Sequence, residues 1–177
     1  NPINDTFKLF YIFDMGSDHD LQMSLALQYL PYLGTDQYSP QAIRQEFFRL
    51  GLSYQTEVQK DQAYIYLQGL EESFEAGVAL FEHLLHHIQA DETALADLIA
   101  NIIKEREDEK ADKQVLLREG LVNYGKYGSN NPFTNRFSRE ALTQQDPEKL
   151  AAVTKWAREE ELDVCIGAIG DCGSCTK

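Results

Sequence analysis

The chain has 177 residues, 43% of them hydrophobic, which fits an ordinary globular domain of the size that buries roughly 70% of the surface its unfolded chain exposes. Disorder and a disulfide knot are therefore excluded. Against 16 basic residues stand 29 acidic ones, a net charge of −13, and such a surface repels a nucleic-acid backbone or an anionic membrane. No stretch approaches 18 consecutive apolar residues, so no membrane span is expected.

Phe7 to Phe13 is aromatic and β-branched without a helix breaker, and Gly16-Ser17-Asp18 closes it with turn chemistry, which predicts a buried strand. From Leu21 to Leu33 apolar residues occupy nearly every face of a helix, the pattern of a segment inside a domain. Ser39-Pro40 starts a second helix, because the Ser oxygen accepts from an orphan N–H and proline has none to lose. Ile43, Phe47 and Leu50 face inward along it, and Gly51 stops it. Leu52 to Gln59 and Tyr64 to Gln68 alternate apolar with polar around a Lys60-Asp61 turn, an antiparallel hairpin with one wet face.

Phe74, Val78, Phe81, Leu85 and Ile88 make one helical stripe, and Leu95, Leu98, Ile99, Ile102 and Ile103 make a second after Asp91. The mixed-sign run from Lys104 to Lys110 reads as a solvated helix face with (i, i+4) pairs. Gly125, Gly128, Ser129, Asn130, Asn131 and Pro132 cluster as a loop; Asp146-Pro147 opens a helix to about Glu160, and a final strand is expected within 162–169. The order predicts an α+β fold, helices packed on one face of a mostly antiparallel sheet, with one domain over 1–160 and a last strand and cysteine-containing tail over 161–177.

A Gly-rich phosphate loop, a Gly-x-Ser-x-Gly elbow and a His-Glu-x-x-His motif are all absent from the sequence. His83-Leu84-Leu85-His86-His87 imitates H-x-x-E-H, but His86 stands where the carboxylate base is needed, so surface histidines on an amphipathic helix are the reading and metal capture by His83 and His87 the alternative. Cys165, Cys172 and Cys175 supply three thiols, one short of a four-cysteine zinc site, and all lie too near the C-terminus to staple the fold. An ordinary strand and a loose end are expected there rather than a metal or redox centre.

Four segments carry a resemblance: Phe10-Tyr11-Ile12-Phe13-Asp14-Met15-Gly16-Ser17, Tyr32-Leu33-Gly34-Thr35, Phe48-Arg49-Leu50-Gly51-Leu52-Ser53-Tyr54 and Asn130-Asn131-Pro132-Phe133-Thr134. With the order of elements, they make the chain, from about residue 5 to residue 160, resemble the pitrilysin (insulinase) family of zinc metallopeptidases, the inverzincins. The resemblance implies a bacterial protein, its compartment open, with the periplasm or cell envelope as a setting. It also implies two large halves that close around a peptide, with H-x-x-E-H in the first domain alone.

In active members that motif ends shortly before a Gly-Thr pair. Setting the pair on Gly34-Thr35 puts Leu25 and Tyr29 at the ligand positions, Gln28 at the base and Glu105 about where the last ligand falls. A leucine offers no donor and a glutamine takes no proton from water. The resemblance thus implies a non-catalytic, substrate-enclosing domain, without zinc of its own, in a parent peptidase whose catalytic domain holds the zinc. Its partners are the other domains of that parent, a peptide, and a second copy of the fragment; Tyr124, Tyr127 and Asn130 are the candidate substrate contacts. The rival is a free-standing interaction module. Asn1-Pro2-Ile3-Asn4 has no starting Met, basic region or apolar signal core, so the chain is expected to begin inside a longer polypeptide.

Overall fold

The computed structural model describes residues 5–129, 131, 133–159 and 163–167. The described residues divide into two compact units, one of residues 5–91 with 147–159 and 163–167, the other within residues 92–146.

The first unit is built on strand β1 (Thr6–Phe13), where Phe7, Leu9, Tyr11 and Phe13 are buried in strict alternation. That period of two is what a strand with one covered face requires. Helix α1 (Leu21–Tyr29) starts at Asp20, whose side chain accepts from the Gln22 N–H at 2.7 Å, and runs into a 3₁₀ turn over Leu30–Tyr32. It is apolar on most of its circumference, with Met23, Leu25, Ala26, Leu27 and Tyr29 all buried and only Gln28 exposed. Strand β2 (Gly34–Thr35) follows, then helix α2 (Pro40–Arg49), capped by the Ser39 hydroxyl, which accepts from the Ala42 N–H at 3.2 Å. Of its predicted inward residues, Ile43 and Phe47 are buried, while Leu50 at the end is half-buried.

Strands β3 (Leu52–Val58) and β4 (Ala63–Leu70) form the predicted hairpin, in register from Leu52 opposite Gly69 to Val58 opposite Ala63. A 3₁₀ turn leads into helix α3 (Phe74–His86), and strand β5 (Ile88–Gln89) pairs with β2. Ile88, expected at the end of a helical stripe, is a buried strand residue instead, because its partner Thr35 lies far off in sequence and no local period reports such a pairing. Helix α8 (Pro147–Glu159) packs against α1, and strand β6 (Asp163–Gly167) pairs antiparallel with β1. The sheet order is β3-β4-β1-β6, every pairing antiparallel, so the fold is α+β as the sequence predicts.

On the buried face aromatic rings interlock: Phe7 meets Phe74 edge-on at 4.8 Å, Tyr11 meets Phe81 at 5.4 Å, and Phe47 meets Tyr54 at 5.2 Å. Such tilted and edge-on pairs match the ring quadrupoles and add to the area they bury.

The second unit is helical. Helix α4 (Glu92–Ala111) buries Leu95, Leu98 and Ile99, and leaves Ile102 and Ile103 half-buried. After α5 (Lys113–Val115) the chain winds into a π-helical stretch over Leu116–Leu121 and continues as α6 (Val122–Tyr127). Gly125, expected in a loop, lies in α6; only Gly128, at φ 77°, ends the helix. Helix α7 (Arg139–Thr143), capped by Ser138, packs on α4.

Candidate functional site

The residues that the sequence sets against the motif fall on α1. Leu25 is 3% exposed and Tyr29 is fully buried, one turn apart on the helix. The Tyr29 hydroxyl donates to the Asp91 carbonyl at 2.6 Å and accepts from the Asp91 N–H at 2.8 Å, so both of its roles are spent on backbone. Burial pushes the Tyr29 phenol above its ordinary range, the Asp91 backbone bond opposing, and a neutral phenol in such a bond is a poor metal ligand. Gln28 is exposed and its amide donates to the Ser24 hydroxyl at 3.3 Å. These residues do not fit zinc, since one offers no donor, one is engaged in the core and one holds no carboxylate. Glu105 lies in the second unit, exposed on α4.

The Gly-Thr pair has a structural reason of its own. A Cβ on Gly34 would stand 2.6 Å from the Tyr38 carbonyl oxygen, so the turn after β2 closes only around a glycine. Thr35 then uses its hydroxyl to accept from the Gln37 and Tyr38 N–H groups at 3.3 and 3.1 Å. At Gly16 the same logic is stronger: an added Cβ would lie 2.3 Å from the Gln59 and Lys60 carbonyls, to which the Ser17 and Asp18 N–H groups bind.

His83 is less exposed than a surface reading expects. Its Nε2 lies 3.0 Å from the Thr35 hydroxyl and 3.6 Å from the Asp36 carboxylate, and its ring stacks on His87 with centroids 4.7 Å apart. His87, more than half exposed, reaches Asp36 at 4.0 Å, while His86 turns to the Glu82 carbonyl at 2.7 Å. Among the described residues no three His, Cys, Asp or Glu side chains are placed to hold a metal ion. Of the cysteines, Cys172 and Cys175 lie outside the described residues, and Cys165 is described as a backbone position in β6.

Tyr124 and Tyr127 are exposed on α6, at 61% and 54%. Asn130 lies outside the described residues. Its neighbour Asn131 is buried, and its side chain donates to the Gly128 carbonyl at 2.7 Å and accepts from the Phe133 and Thr134 N–H groups at 3.0 and 3.2 Å. That asparagine holds the loop together, a role that the turn chemistry of Asn already signals.

No family model and no curated protein matches the sequence. The likeness is in three dimensions. A peptidase M16 inactive domain from Pseudomonas fluorescens superposes with a TM-score of 0.69 at 21% identity, over 85% of this chain and 38% of that one. The periplasmic protease PqqL from Escherichia coli gives 0.72 at 10% identity, over 93% of this chain and 19% of its own. The ferredoxin protease FusC, solved with Arabidopsis ferredoxin, gives 0.72 at 13% identity, over 92% of this chain and 18% of its own. The chain spans less than half the length of each of these structures. The polypeptide has the fold of the peptidase M16, or pitrilysin-type, inactive domain.

Proposed function

We propose that this chain is a non-catalytic domain of a zinc-dependent metallopeptidase, enclosing a peptide substrate while another domain of the same parent holds the zinc. The observation that supports the reading is that Leu25 and Tyr29, set at the ligand positions by the Gly34-Thr35 register, are buried core residues, while Gln28, set at the base, is an exposed amide. A domain of this kind excludes water and folded competitors from the chamber and moves as a body when the chamber opens. The ferredoxin held by FusC supports a peptide or protein as the thing enclosed.

The remaining domains of the parent are the proposed partners, and a second copy of the chain takes their place when the fragment stands alone. Leu117, Leu121 and Tyr124 are each more than half exposed in the second unit, and Phe48 is 86% exposed in the first, as surfaces awaiting neighbours are. The test mixes the chain with the H-x-x-E-H-bearing half of its parent. Alone, the chain is expected to retain no stoichiometric zinc after dialysis and to leave a quenched peptide uncut; mixed, it binds that half and raises cleavage. Stoichiometric zinc with cleavage, both lost in His83→Ala/His87→Ala, overturns the reading. A chain with no affinity for the catalytic half makes the free-standing interaction module the better account.

A further inference from the structure

The second unit holds a cleft of about 360 Å³ between α4 and the segment from Phe133 to Arg139, and its charge is opposite to that of the chain. Arg106 and Lys110 line it from α4, and Arg136 and Arg139 from the segment facing them, in a chain whose net charge is −13. Arg136 is paired with Glu109 at 2.8 Å and Arg139 with Glu107 at 3.3 Å. The other two are in no close ion pair among the described residues: Arg106 donates one N–H to the Phe137 carbonyl at 2.6 Å and feels the Glu109 carboxylate only at longer range, and Lys110 makes no ion pair. Four cations against two carboxylates leave two positive charges in one cleft. Phe133 and Phe137 supply apolar walls, with the Arg136 guanidinium over the Phe133 ring at 4.8 Å.

Arg106 is half-buried, and burial, with Arg136 beside it, holds its guanidinium below the usual arginine range. A half-desolvated guanidinium with unused N–H donors is stabilised by an arriving anion, and its planar fork matches a carboxylate. An extended polyanion is repelled by the rest of so acidic a molecule. A single carboxylate on an otherwise apolar segment meets only the local field.

We infer that this cleft binds a carboxylate flanked by apolar side chains on a peptide, with Arg106 and Lys110 taking the charge and Phe133 and Phe137 the apolar neighbours. That the ligand is a peptide rests on the function proposed above; the cationic cleft itself does not. Global charge favours basic peptides, so the cleft selects against the general field and would fix which segment of a substrate sits beside the second unit.

The test is calorimetric titration of the full chain with two short capped peptides, one with a single glutamate between aromatic residues and one with glutamine in its place. The glutamate peptide is expected to bind, more weakly as salt rises, and the glutamine peptide to bind at least about tenfold less tightly, the worth of a charge-assisted hydrogen bond. Lys110→Gln, at an exposed and unpaired position, is expected to weaken the glutamate peptide about tenfold without altering the melting temperature, and Arg106→Gln to do at least as much. Equal affinity for the two peptides, or unchanged affinity in Lys110→Gln, overturns the inference. Inorganic phosphate or acetate binding as tightly as the glutamate peptide also overturns it, by making the cleft a site for simple anions. None of these readouts uses zinc or cleavage, so the site can fail while the chamber-wall function stands, and the reverse.

Discussion

Leu25, which the sequence sets at a ligand position of the motif, is a core residue in the structure. It is 3% exposed in a helix whose other buried residues are Met23, Ala26, Leu27 and Tyr29. Leu25→Ala is expected to cost roughly 2–5 kcal/mol in denaturant unfolding, through lost burial and a residual cavity. A change below about 0.5 kcal/mol would mean a surface site, since substitutions there stay within that range. Tyr54 carries a different prediction. Burial pushes its phenol up to about 12, Arg44 opposing, so the folded chain holds this proton more tightly than the unfolded chain does. Stability from this group is therefore complete below the ordinary tyrosine value of about 10 and is lost as pH rises from there towards 12. Tyr54→Phe is expected to flatten that alkaline decline, read as unfolding midpoints across the same pH range.

Among the elements, α1 is the one on which the sequence sets the degenerate motif, so it carries the test of that register. Grafting Leu25→His, Gln28→Glu and Tyr29→His together is expected to yield neither stoichiometric zinc nor cleavage. The two imidazoles enter a packed interior without partners, and the Tyr29 hydroxyl no longer serves the Asp91 N–H and carbonyl. Zinc analysis and the quenched-peptide assay check this, and a triple variant that binds zinc and cuts peptide would refute the argument that packing at these positions excludes a metal site. Legibility also varied by element. The β1 strand, the capped α2 and the β3–β4 hairpin were readable, because alternation, a Ser-Pro start and a turn are local signals. The β2–β5 pair was not, because a two-residue ladder leaves no periodicity to read.

At the scale of the whole molecule, exposed apolar side chains bear on assembly. Leu116, Leu117, Leu121, Val122, Tyr124 and Tyr127 are all exposed along residues 116–127. Six such residues on one short run exceed the scattered exposure of an ordinary surface. The chain alone is expected to self-associate, and Leu117→Ser/Leu121→Ser to shift it towards monomer in sedimentation while unfolding stability changes by no more than about 0.5 kcal/mol, as befits exposed positions. A wild-type chain that stays monomeric at all concentrations would contradict this.

The sequence by itself determined the α+β class, the buried first strand and the largely apolar first helix, because each depends on residue type and on periods of two or 3.6 along a short stretch. Only the tertiary structure decided the rest. It showed Tyr29 bonded to the backbone of Asp91, Asn131 spent inside its own loop, and His83 drawn to Thr35 and Asp36. It also turned the run from Lys104 to Lys110, which reads as a solvated face, into one wall of a cationic cleft, with Arg106 bound to Phe137 and Arg136 to Glu109. Those pairings join residues some thirty positions apart, and no pattern along the chain encodes which distant group will meet a given charge.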